Sequence, residues 1–140
     1  MARPTQPLVW HRLRFALPLA QDAAVGLVER LLADGSLDRV VLELRASGGQ
    51  AVWAVGSRAG ERLVSLVREL VLGCRVSRGC ARRAVSQAVV VSARPVGTPL
   101  ATERLAAVVR AVLAALASTA EGEELVVQLQ LGRRFSPQAL

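Results

Sequence analysis

The sequence predicts an α+β fold, a two-layer sandwich in which three helices lie on one face of a mainly antiparallel sheet in the order βαββαββαβ. Three observations lead there. Several short runs alternate apolar and polar residues at period two, as half-buried strands do. Between them apolar residues recur at i, i+3, i+4 and i+7, which places one stripe on a helix. A strand-helix-strand unit also occurs twice. Helices confined to one side leave the polar alternation facing water. The 140 residues suit one domain, taken as residues 1–135, with 136–140 as a C-terminal tail that starts a linker.

Leu13, Phe15 and Leu17 alternate with Arg12, Arg14 and Ala16 in a first strand over 8–17, ended by Pro18. Ala24, Leu27, Val28, Leu31 and Leu32 then share one face of a helix over 21–33, with Asp22 in its first turn and Gly35 as its stop. Residues 39–47 and 50–56 read as two strands joined by Gly48-Gly49, a pair suited to the positive φ angles of a tight hairpin. Ser57 is placed to cap a second helix through Leu72, with Leu63, Leu66, Val67, Leu70 and Val71 on its buried face. Residues 75–81 suggest a short strand and a turn, and Val85–Ala93 a further strand. A third helix over 102–117 carries Leu105, Val108, Val109, Val112, Leu113 and Leu116 as its stripe. The last strand alternates Leu125, Val127, Leu129 and Leu131 with Gln128 and Gln130.

The duplication rests on Pro18-Leu19-Ala20-Gln21-Asp22 against Pro99-Leu100-Ala101-Thr102-Glu103. At the same offset Val28, Leu32 and Ala33 match Val109, Leu113 and Ala114. After a short insertion, Val41-Leu42-Glu43-Leu44 matches Val126-Val127-Gln128-Leu129. Each copy ends a strand with proline and begins a helix with an acidic turn.

Composition narrows the chemistry. The net charge is +7, and every basic side chain is an arginine. Without lysine there is neither a Walker A loop nor a Schiff base. Tyrosine is absent and His11 is the one histidine, so few groups are able to shuttle protons near neutral pH. We expect no catalytic residues, no metal site and no cofactor. Although 52% of residues are hydrophobic, Arg, Asp or Glu interrupts every apolar run before the roughly 18 to 20 residues of a membrane span. No span and no secretory signal are expected, and a cytoplasmic location follows by default.

Arg75, Arg78, Arg82 and Arg83 form the densest positive cluster. They read either as contacts to nucleic-acid phosphates or an acidic protein surface, or as a solvated loop. The few aromatic residues, Trp10, Phe15, Trp53 and Phe135, provide little for bases to stack on. His11 has no neighbouring ligand and reads as structural. Glu121, Glu123 and Glu124 read as a solvated turn, or as carboxylates for a cation. The run 56–60 has either an anion-binding nest or an ordinary N-cap at Ser57. Cys74 and Cys80 lack metal-ligand and redox spacing; they read as two packed thiols, with a local disulfide as the alternative.

Four stretches carry a family resemblance: Trp10-His11-Arg12-Leu13-Arg14-Phe15-Ala16-Leu17-Pro18-Leu19, Val40-Val41-Leu42-Glu43-Leu44-Arg45-Ala46, Arg94-Pro95-Val96-Gly97-Thr98-Pro99-Leu100, and the run from Gly122 to Arg134. Together they resemble the N-terminal soluble region of actinobacterial type IV secretion and conjugative DNA-transfer coupling ATPases, the TraD/TraG-like proteins related to HerA. In that family an ATPase domain follows; the residues after Arg133-Arg134 show no counterpart of its nucleotide-binding motifs. The resemblance therefore implies a non-catalytic accessory or interaction domain of a DNA-translocation machine. Its partners would be other subunits of that machine, further copies of itself, or DNA. The alternative is a stand-alone arginine-rich nucleic-acid-binding module.

Overall fold

The computed structural model describes residues 7–16, 18–37, 39–79, 85–91 and 102–131. Its elements run β1 (Val9–Arg14), α1 (Gln21–Ala33), β2 (Val40–Ser47), β3 (Gln50–Ser57), α2 (Gly60–Leu70), β4 (Arg75–Arg78), α3 (Leu105–Ala117) and β5 (Leu125–Leu131). The strands form one sheet in the order β4-β1-β3-β2-β5, and every neighbouring pair is antiparallel. β1 and β2 are therefore parallel, with β3 inserted between them. From β1 to β4 this is the split βαβ plan of ferredoxin-like domains; α3 and β5 extend it on the β2 side. The fold is α+β, with one five-stranded antiparallel sheet and three helices, as expected.

The β2–β3 hairpin shows how local chemistry sets register. Gly48 and Gly49 both have positive φ, 56° and 74°, so a two-residue turn joins Ser47 to Gln50, its cross-strand partner. Eight facing pairs follow from that turn.

Both helical layers lie on one face. Val40 packs with Leu27, Leu31, Leu63, Leu66 and Val67 of α1 and α2. Leu44 and Ala46, which point the same way from β2, pack with Leu116 of α3. Among the described residues no helix is long and apolar enough to cross a membrane.

Three expectations change. Residues 85–91 form no strand, and Val89 and Val91 are 91% exposed; the described order is βαββαβαβ. β-branched residues favour strands only where a pleated surface receives them, and no described strand pairs with this run. In the stretch matched to the second copy, α3 and β5 are present and 85–91 forms no strand; Pro99 and its neighbours lie outside the described residues. The second change concerns Ser57, which ends β3. Its buried hydroxyl accepts a hydrogen bond from the Ala59 amide at 3.1 Å, and α2 begins only at Gly60. The third concerns α3, whose stripe is bare: Leu116 is its one buried residue, while Leu105, Val108, Val109 and Leu113 are exposed.

Candidate nucleic-acid interface

Alternation along the strands delivers one set of side chains to the face that no helix covers. Glu43 stands opposite Ala54 and Gln128, and Ala54 stands opposite Arg12, itself opposite Ser77. Ser77, Arg12, Ala54, Glu43 and Gln128 thus form one row across all five strands. By the same parity Arg14, Arg39, Arg45 and Arg75 share this face, and Arg58 follows β3 in the same phase.

Among the described residues the acids on this face are Glu43 and Glu124, and both are engaged. Glu43 is fully buried. Its carboxylate pairs with Arg45 at 2.7 Å and accepts a hydrogen bond from the Gln128 amide at 2.6 Å. Arg45 also pairs with Glu124. A carboxylate removed from water needs such partners. Arg39 donates to the Gln130 side chain at 3.0 Å.

On the β1–β4 side no such compensation is present among the described residues. Arg14 and Arg75 are exposed and directly opposite each other, a like-charge pairing that destabilises a sheet. Arg12 makes no ion pair among the described residues, and its Nε is buried without a hydrogen-bond partner. On the same face Trp10 lies over Gly56, where an added Cβ would come within 2.9 Å of the indole ring. A glycine is needed for the ring to lie this close to the strand.

Two of the four sequence-predicted residues are described, and they lie on different faces. Arg75 and Arg78 both lie on β4, three positions apart and so on opposite faces; Arg82 and Arg83 lie outside the described residues. Arg78 stands opposite His11 on the helix side. His11 is buried, and its pKa is held below the usual value, chiefly by desolvation and then by the charges of Arg78 and Arg68.

The other candidates have local roles. Glu124 pairs with Arg45, and Glu123 accepts the Ala120 amide at 3.1 Å. Gly56 and Gly60 of the nest-like run are buried. Cys74 is a free, half-buried thiol packed against the core, and burial pushes its pKa up; Cys80 lies outside the described residues. Among the described residues no group of three or more His, Cys, Asp or Glu side chains converges as a metal site. A shallow depression along α1 is lined by Gln21, Asp22, Val25, Gly26 and Glu29, its two acids about two helical turns apart.

Residues that sequence reasoning missed are Arg12, Arg14 and Trp10. The signal was present as period-two alternation of Arg12 and Arg14 within the first strand. Comparison with protein-family models, with curated proteins and with solved structures finds no match to this chain.

Proposed function

We propose that the chain is a non-catalytic module that binds the phosphate backbone of nucleic acid on the helix-free face of its sheet. One observation carries this reading: Arg12, Arg14 and Arg75 share that face on β1 and β4 with no ion pair among the described residues, whereas Glu43 and Glu124 both pair with Arg45. Guanidinium groups bind phosphate oxygens bidentately, and a net charge of +7 steers an anionic polymer toward the module. Trp10 adds an aromatic surface on which a base of a single strand can stack. The absence of lysine and tyrosine and the burial of His11 support a binding role over a catalytic one.

A salt series of DNA and RNA binding tests this. Affinity should fall steeply with salt, and each phosphate-contacting arginine replaced should reduce the slope of log K against log salt by about 0.7 to 0.9. Arg12→Ala, Arg14→Ala and Arg75→Ala should do so, while Arg62→Ala on the helix side should not. No binding at low salt ends the reading.

The setting we propose is a cytoplasmic DNA-transfer machine, in which the module serves as an accessory domain of a coupling ATPase. That placement rests on the sequence resemblance. A locus without transfer genes or a neighbouring ATPase frame would remove it and leave the stand-alone nucleic-acid module.

A further inference from the structure

The two edges of the sheet differ in how they are guarded. β4 has four residues with arginine at each end, and short, charged strands resist pairing with other chains. β5 has seven residues, Leu-Val-Val-Gln-Leu-Gln-Leu, with no charge, no proline and no glycine. One side of β5 pairs with β2 over its full length. Among the described residues no strand pairs with the other.

A bare apolar surface adjoins that edge. On the helix side of β5, Val127 is 39% and Leu129 is 54% exposed. Leu125 at the start of β5 packs in the small cluster that anchors α3 through Leu116. α3 itself lies over β2 and β3 on the same side of the sheet, and its exposed stripe adds apolar surface there.

We infer that β5 is a homodimer edge, on which a second copy of the chain pairs its own β5 antiparallel. The two-fold axis of such a pair stands normal to the sheet. It puts the helices of both copies on one side, where Val127 and Leu129 of the two copies meet over the seam. An uncharged strand is self-complementary under this symmetry; a β4–β4 pairing would set arginines against arginines. The area argues for a reversible contact. Seven residues span about 23 Å, and a sheet plus a helix layer is about 20 Å deep. The projected contact is then at most about 900 Å² on the two copies together, below the roughly 1,000 Å² that a stable interface clears and in the range of weak, transient ones.

The salt dependence separates this inference from nucleic-acid binding. Two copies of charge +7 repel each other, and the seam contributes no opposite charge. Dimerisation should therefore strengthen as salt rises, while nucleic-acid binding weakens.

Sedimentation of the full chain without nucleic acid, over a wide concentration range and at low and high salt, tests it. We expect a monomer–dimer equilibrium favoured by salt, abolished by Leu129→Arg and weakened by Val127→Glu, with circular dichroism unchanged and melting unchanged at dilutions where the wild type is monomeric, because both side chains are exposed. Hydrogen exchange of the 125–131 amides should slow as the wild-type chain is concentrated. A chain monomeric at every concentration, open-ended oligomers, or undiminished association of Leu129→Arg would overturn the inference. So would a monomer in which the amides of 125–131 that point away from β2 are protected at every dilution, since a segment of the same chain such as 85–91 would then occupy the edge.

Discussion

Arg14 and Arg75 face each other across the β1–β4 ladder, two exposed guanidinium groups set side by side on the same face of the sheet. Neither has an acidic partner among the described residues. Replacing Arg75 with Glu turns a repulsion into a cross-strand ion pair. Stability should rise by about 0.2 to 1 kcal/mol, read as a higher urea midpoint at unchanged slope, while affinity for nucleic acid falls. A variant that gains stability and keeps full affinity would remove Arg75 from the binding face.

Glu43 is the reverse case, a charge whose removal should cost stability. Its burial is complete and its partners are Arg45 and Gln128. Glu43→Ala strips Arg45 of one of its two carboxylates and leaves the Gln128 amide without its acceptor. A loss of about 3 kcal/mol is expected in urea unfolding. Glu43→Gln, which preserves shape and an acceptor oxygen, should lose less.

Gly56→Ala places a methyl against the Trp10 ring at 2.9 Å. The ring has to move, because the strand beneath it is fixed between β1 and β2. Destabilisation of about 1 to 3 kcal/mol is expected, together with a change in tryptophan fluorescence that Trp53, on the opposite face, does not share. An unaltered spectrum would contradict the packing.

Acid should weaken the fold in two separate steps. Burial and the charges of Arg78 and Arg68 hold the folded pKa of His11 below 6.5. The unfolded chain therefore takes up this proton first, and stability falls as pH drops through the region below about 6.5. Asp34 works at lower pH. Hydrogen bonds from the Ser36 hydroxyl and amide, with help from Arg62, bring its pKa to about 2. Its contribution is present above the ordinary value of 3.8 and is lost as pH falls toward about 2. His11→Gln should flatten the first step, measured by denaturation from about pH 7 to about pH 5, and leave the second.

Leu116 and Leu113 lie on the same helix with unequal effect. Leu116 is 2% exposed and Leu113 is 50%. Leu116→Ala should cost about 2 to 4 kcal/mol and speed exchange throughout α3. In the monomer, Leu113→Ala should change stability by less than about 0.5 kcal/mol.

What could be read from the sequence was local. The Gly48-Gly49 turn, the α1 stripe and the alternation of the last strand each depend on residues close in the chain, and each stands in the structure. Strand order depends on distant contacts. Nothing near Gln128 reveals that it will sit beside Glu43, 85 residues away. The strand expected at Val85–Ala93 and the buried α3 stripe failed for one reason: periodicity shows that a surface wants a partner, and says nothing about whether one is present. Density along the chain is a poor guide to which side chains share a face. Arg75 and Arg78 are close in sequence yet diverge in space, whereas Arg12, Arg45 and Arg75 come from three strands and share a face.

The glycine hairpin also has a consequence for the order of folding. β2 and β3 need close only a two-residue loop, an event of microseconds, whereas β5 has to cross the whole β4–α3 stretch before it finds β2. During synthesis β5 also leaves the ribosome last. For that interval the β2 strand is the open edge of a nascent four-stranded sheet. Glu43 and Arg45, charged residues in the middle of that strand, then act as gatekeepers against pairing with a neighbouring chain until β5 arrives and Gln128 meets the carboxylate.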